Sequence, residues 1–164
     1  MKIGKGWRSI ISALSGVTVG AVGMNIVMKK SADEKQIRSD KRLALFMMMN
    51  QWVRIKQEGK NLSDYFVKNQ YQKIAIYGMG YAGETLLAEL KDSDIKVAYG
   101  IDRNADRILL DIDILTLENS LPEADVIVVT AITYFDEIEK DLAKKTNIKV
   151  ISLEDVLNNV LYEV

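Results

Sequence analysis

The sequence predicts an α/β fold, a Rossmann-like, doubly wound parallel sheet of five strands in the order 3-2-1-4-5, preceded by N-terminal helices. Three observations carry this. Lys73-Ile74-Ala75-Ile76-Tyr77 reads as a short apolar strand and runs directly into Gly78-Met79-Gly80-Tyr81-Ala82-Gly83, with a helical stretch after it. A second strand, Lys96 to Ile101, closes on an acid, Asp102. Val126-Ile127-Val128-Val129-Thr130 is a continuous apolar run of the kind buried inside parallel sheets.

The glycine motif stands in the setting that gives it meaning, with a strand before it, a helix after it and an acid about twenty residues on. Gly78 permits the tight turn and Gly80 allows an anion to approach the backbone. Gly83 lets the helix lie close on the strand, and the helix N-terminus offers N–H groups that no helical carbonyl can reach. Asp102 is placed to accept hydrogen bonds from ribose hydroxyls. Arg103 beside it leaves the choice between NAD and NADP open, because an arginine there can meet a 2′-phosphate.

The remaining elements follow in order. Glu84 to Leu90 is helical, and Ile112 to Leu115 is a short third strand. Residues 120–125 form a connection holding the single proline, Pro122. A helix over 134–145 has acids leading and lysines closing, as the helix dipole favours. Lys149 to Ile151 is a fifth strand, and Ser152 is placed to cap a last helix. Alternating strands and helices with right-handed crossovers give the parallel sheet.

The first third has a different character. Residues 1–60 hold twelve Lys/Arg against four Asp/Glu, a net +8, whereas residues 61–164 hold ten against nineteen, a net −9. The acidic part is a poor partner for nucleic acid, because phosphate repulsion opposes contact. Trp7 to Met28 contains one charge, Arg8, at its start and has about the length needed to span a bilayer core. Basic residues flank both ends, and Trp7 sits where an interfacial aromatic belongs. A cleaved signal peptide and an interfacial helix are the rival readings of this segment. The excess of Lys and Arg after residue 28 predicts a single-pass cell-membrane protein with its C-terminal domain in the cytoplasm. Ser12, Gly16 and Gly20 recur every four residues, a small-residue stripe through which two such helices can form a homodimer. The expected organisation is an anchor segment over 1–30, a helical linker over 31–69 and the nucleotide-binding domain over 70–164.

Within the linker, residues 33–58 read as a helix stopped by Gly59, with Leu45, Met48, Met49, Trp52 and Ile55 forming one apolar stripe. Asn61 or Ser63 can start a shorter helix after it.

Chemistry is limited by what the chain lacks. It has no Cys and no His, so thiolate and imidazole catalysis, His-liganded zinc and disulfides are all excluded. No Tyr is followed four residues on by Lys, no Lys-Ser/Thr pair follows the glycines, and five strands are too few for a methyltransferase sheet. The pairs Asp111/Asp113 and Asp136/Glu137 read as solvated charges.

Ile74 to Gly83, Tyr99-Gly100-Ile101-Asp102 and Asp125 to Thr130 together resemble the compact Rossmann-like NAD(P)-binding modules of bacterial cell-surface polysaccharide proteins, including the nucleotide-sugar-binding domains of sugar acyltransferases. The resemblance implies a ligand crevice lined by Gly78, Gly80, Gly83, Asp102 and Thr130. With Met79, Tyr81 and Ala82 of the loop and Arg103, these are the expected binding residues for NAD or NADP, or for a UDP-sugar instead. In those families the catalytic residues lie in another domain. The function expected is thus an accessory or regulatory nucleotide-binding module of envelope polysaccharide metabolism. An oxidoreductase completed by a partner, or an interaction protein that binds no nucleotide, are the alternatives.

Overall fold

The computed structural model describes residues 36–162. The chain divides into two units, residues 1–43 and 44–164. Of the first, residues 36–43 are described and helical, with the Gln36 side-chain amide donating to Asp40 at 2.8 Å. The second unit holds the sheet.

Five parallel strands lie in the order β3-β2-β1-β4-β5. They are β1 (Lys73–Tyr77), β2 (Lys96–Ile101), β3 (Ile114–Leu115), β4 (Val126–Val129) and β5 (Lys149–Ser152). Helix α1 covers residues 36–57, and α2 (Leu62–Lys68), α3 (Tyr81–Leu90), α4 (Phe135–Ala143) and α5 (Leu153–Tyr162) follow. The expected fold class and strand order are both present.

Strand alternation divides the core into two layers. Ile74, Ile76, Val126 and Val128 face one side, where Leu62 and Phe66 of α2, Leu86 and Leu90 of α3 and Val156 and Leu157 of α5 pack. Ala75, Tyr77, Ile127 and Val129 face the other side, which Ile138 and Leu142 of α4 cover. The strand order reverses at β1, with β2 added on one side and β4 on the other, so the crevice at the carboxyl ends of β1 and β4 is the topological switch point.

The second unit begins at Ala44, well before the expected domain start at residue 70. Met48, Trp52 and Ile55 of α1 are buried in the same cluster as the sheet, so this stripe of α1 packs into the core of the second unit. Gly59 ends α1 at φ +73, a left-handed conformation that glycine adopts without strain.

One carboxylate ties three helices together. Glu89 of α3 accepts the Trp52 indole N–H at 2.6 Å, the Leu62 backbone N–H at 3.1 Å and the Lys56 ammonium at 3.1 Å. Asn61 occupies the N-cap position of α2, but no side-chain cap bond forms there; its oxygen accepts from Lys56 instead, and Glu89 serves the first helical N–H.

The membrane-spanning segment expected at 7–28 and the stripe of Ser12, Gly16 and Gly20 lie outside the described residues. Among the described residues no helix is long and apolar enough to cross a membrane.

Candidate functional site

The loop between β1 and α3 is built by exclusion of side chains. Gly78 has φ +92, and a Cβ there would lie 2.8 Å from the Thr130 hydroxyl. A Cβ on Gly83 would lie 2.2 Å from the Gly78 carbonyl oxygen, so the first turn of α3 is seated directly on the loop. Gly80 differs from both. Its φ of −86 and ψ of −162 suit any residue, and nothing lies within 4 Å of its absent Cβ. The room in front of Gly80 is therefore open.

Two side chains hold the loop in place. The Thr130 hydroxyl donates to the Gly78 carbonyl at 2.6 Å, with the Tyr77 carbonyl at 3.2 Å, and fastens the end of β4 to the turn. Asp102 accepts the Met79 N–H at 2.9 Å on one carboxylate oxygen and the Asn104 N–H at 2.8 Å on the other. The acid after the second strand thus grips the second residue of the glycine loop. Each carboxylate oxygen retains lone-pair capacity for a further donor.

The Met79 side chain, 2% exposed, turns into the core. Space for it comes from Gly100 of β2, where a Cβ would lie 2.8 Å from the Met79 sulfur. Gly100 and Met79 form a knob and socket under the loop. A glycine inside a strand, just before the acid, is the signal in the sequence that points to this close approach.

No side chain caps α3. Its first intrahelical bond is from Glu84 N–H to Gly80 O at 2.9 Å, which leaves the N–H groups of Tyr81, Ala82 and Gly83 ahead of the helical ladder. Tyr81 is exposed at this end, while Ala82 is buried beneath it. The helix therefore presents an open, uncapped N-terminus beside Gly80, the arrangement in which backbone donors and helix dipole favour an anion.

On the α4 side of the switch point lies a cavity of about 310 Å³, lined by Tyr77, Asp102, Arg103, Ala131, Tyr134 and Glu137 among others. Of the expected residues, Asp102 and Arg103 line it directly, whereas Met79 and Thr130 are committed to holding the loop. Arg103 also acts toward α4. The Asp141 carboxyl is held below its ordinary range mainly by its hydrogen bond and charge pairing with Lys144, and Arg103 contributes to the same shift. The cavity carries two carboxylates, Asp102 and Glu137, with Arg103 as its cation. Among the described residues no group of acids could hold a metal ion.

No match to this chain was found among curated proteins or among solved structures. The family model described as C2185-like, N-terminal, matches residues 70–153, from the lead into β1 through β5, and this covers just over half of the sequence. The chain belongs to the C2185-like, N-terminal family.

Proposed function

We propose that this protein is a nucleotide-binding module, membrane-anchored through residues 7–28, with its sheet domain on the cytoplasmic side. It takes a dinucleotide such as NAD or NADP, or a nucleotide-sugar, at the switch point. The observation that carries the reading is the open space at Gly80 in front of the uncapped first turn of α3. The diphosphate is held there by backbone N–H groups. A ribose then reaches the free lone pairs of Asp102, and the base enters the cavity beside Arg103 and Tyr134.

The role that fits is accessory or regulatory, in envelope polysaccharide metabolism, the setting implied by the resemblance of the glycine loop and second strand. In this reading Asp102 and Arg103 of the cavity serve as binding groups for the ligand. Thermal-shift measurements of the full chain against NAD, NADP, UDP-sugars and coenzyme A test the ligand class. A saturable stabilisation by one nucleotide class supports the reading, and no shift with any of them at millimolar concentration refutes it. The anchor has its own test: the full chain should stay with membranes through high salt and carbonate, and release by salt alone refutes the span.

A further inference from the structure

Helix α1 has two apolar faces, and the sheet uses only one of them. Met48, Trp52 and Ile55 point into the core. About 200° around the helix at 3.6 residues per turn, Phe46, Met47 and Val53 are 68%, 59% and 52% exposed. Phe46, Asn50 and Val53 recur at steps of four and three, the seam spacing of a two-stranded coiled coil, and the sequence carries the register back to Leu43. Asn50 then falls at the seam position where a single asparagine fixes register and favours parallel pairs.

A groove of about 630 Å³ opens beside this stripe and extends the apolar face from Phe46 and Met47 to Ile132 and Tyr162. Arg54 and Glu154 also line it. Neither side chain is in an ion pair among the described residues, so the face carries one charge of each sign.

We infer that the outer face of α1 is a homodimer surface, where two copies of this chain pair in parallel with Asn50 against Asn50. The face is self-complementary, as a two-fold contact requires. It offers an apolar ridge and an adjoining apolar groove, and a second copy brings a carboxylate for Arg54 and a guanidinium for Glu154.

The absence of native cysteine makes the test direct. Full-length Asn50→Cys, oxidised in mild detergent, should form a covalent dimer as its main product. Leu109→Cys, at a residue 96% exposed on the β2–β3 connection, should not. Adding Phe46→Asp and Val53→Asp to the Asn50→Cys chain should cut cross-linking at least tenfold, with circular dichroism unchanged because both side chains lie outside the core. The milder Phe46→Ser should reduce it in the same direction. Equal cross-linking at Leu109, or cross-linking at Asn50 that survives the aspartates, overturns the inference. So does a monomeric sheet unit that binds anionic vesicles through Phe46, which would assign the face to a lipid surface.

Discussion

Removing the Glu89 carboxylate should be one of the most damaging polar substitutions in this chain. Its two oxygens serve the Trp52 indole N–H, the Leu62 N–H and the Lys56 ammonium, and the side chain is only 10% exposed. Trp52 is 3% exposed and Leu62 is fully buried, so water cannot readily replace the lost acceptor. In Glu89→Ala two donors are stranded, each at about 1–3 kcal/mol, for a combined cost of about 2–6 kcal/mol. The Lys56 pair adds under about 1 kcal/mol, since that ammonium is half exposed. At roughly 4 °C of Tm per kcal/mol for a domain of this size, Glu89→Ala should melt about 8–24 °C lower. Glu89→Gln keeps one acceptor oxygen and should lose about half as much. Urea unfolding of the full chain by far-ultraviolet circular dichroism measures the loss. A double-mutant cycle with Trp52→Phe should return a coupling of about 1–3 kcal/mol, within the range for hydrogen-bonded neighbours. A Glu89→Ala chain within about 0.5 kcal/mol of wild type, the scale of an ordinary surface substitution, would refute the claim that this carboxylate joins α1, α2 and α3.

The glycine loop should discriminate between its glycines. Gly83→Ala drives a methyl against the Gly78 carbonyl and should cost about 1–3 kcal/mol or more, while Gly80→Ala should leave the melting temperature within a degree or two, as paired thermal melts would show. Asp102→Asn has one acceptor oxygen for the two N–H groups of Met79 and Asn104, and should destabilise by about 1 kcal/mol even without ligand; denaturant unfolding of the ligand-free protein tests this. Alkali should weaken the fold through Tyr99, whose pKa burial raises above the ordinary value of about 10. The folded state then holds its phenolic proton more tightly than the unfolded chain does. Stability from this group is complete below about pH 10 and is lost as pH rises toward the folded-state pKa. Tyr99→Phe should flatten that alkaline limb in unfolding measured from pH 8 to 11, and should cost about 1 kcal/mol at neutral pH for the lost bond to the Pro122 carbonyl.

The sheet was legible because each strand announces itself locally. The strand, glycine loop, helix and acid fall in the required order, and the fully apolar β4 reads as a strand covered on both faces, which it is between β1 and β5. The N-cap role of Ser152 was equally local, and its hydroxyl accepts the Glu154 N–H at 3.2 Å. Pairings across long sequence separations were not legible. The Glu89 node joins residues 37 and 27 positions apart, and nothing near Glu89 marks it as different from any other helical glutamate. Asp125 likewise accepts the N–H groups of Gln72 and Lys73, closing the amino end of β1 from more than fifty residues away. Helix α1 was read as linker because its stripe of Met48, Trp52 and Ile55 shows that a partner exists without saying that the partner is the sheet. At the candidate site, the structural duties of the residues were not visible in the sequence. Thr130 and Met79 were expected toward a ligand, and the structure employs the first to staple the loop and the second to fill the space under it. Short polar side chains and loop amides serve either purpose, and only their partners distinguish the two.

The central claim is that the space at Gly80 receives a nucleotide diphosphate. Calorimetric titration of NAD, and of the UDP-sugar giving the largest thermal shift, into full-length wild type and Gly80→Val tests it most directly. The valine's backbone conformation is an ordinary one at this φ and ψ, so the variant should melt as wild type does, while its side chain occupies the opening in front of α3. The account predicts saturable binding by the wild type and at least a hundredfold weaker binding by the folded variant. Equal affinity in the two proteins would place the ligand elsewhere and contradict the account.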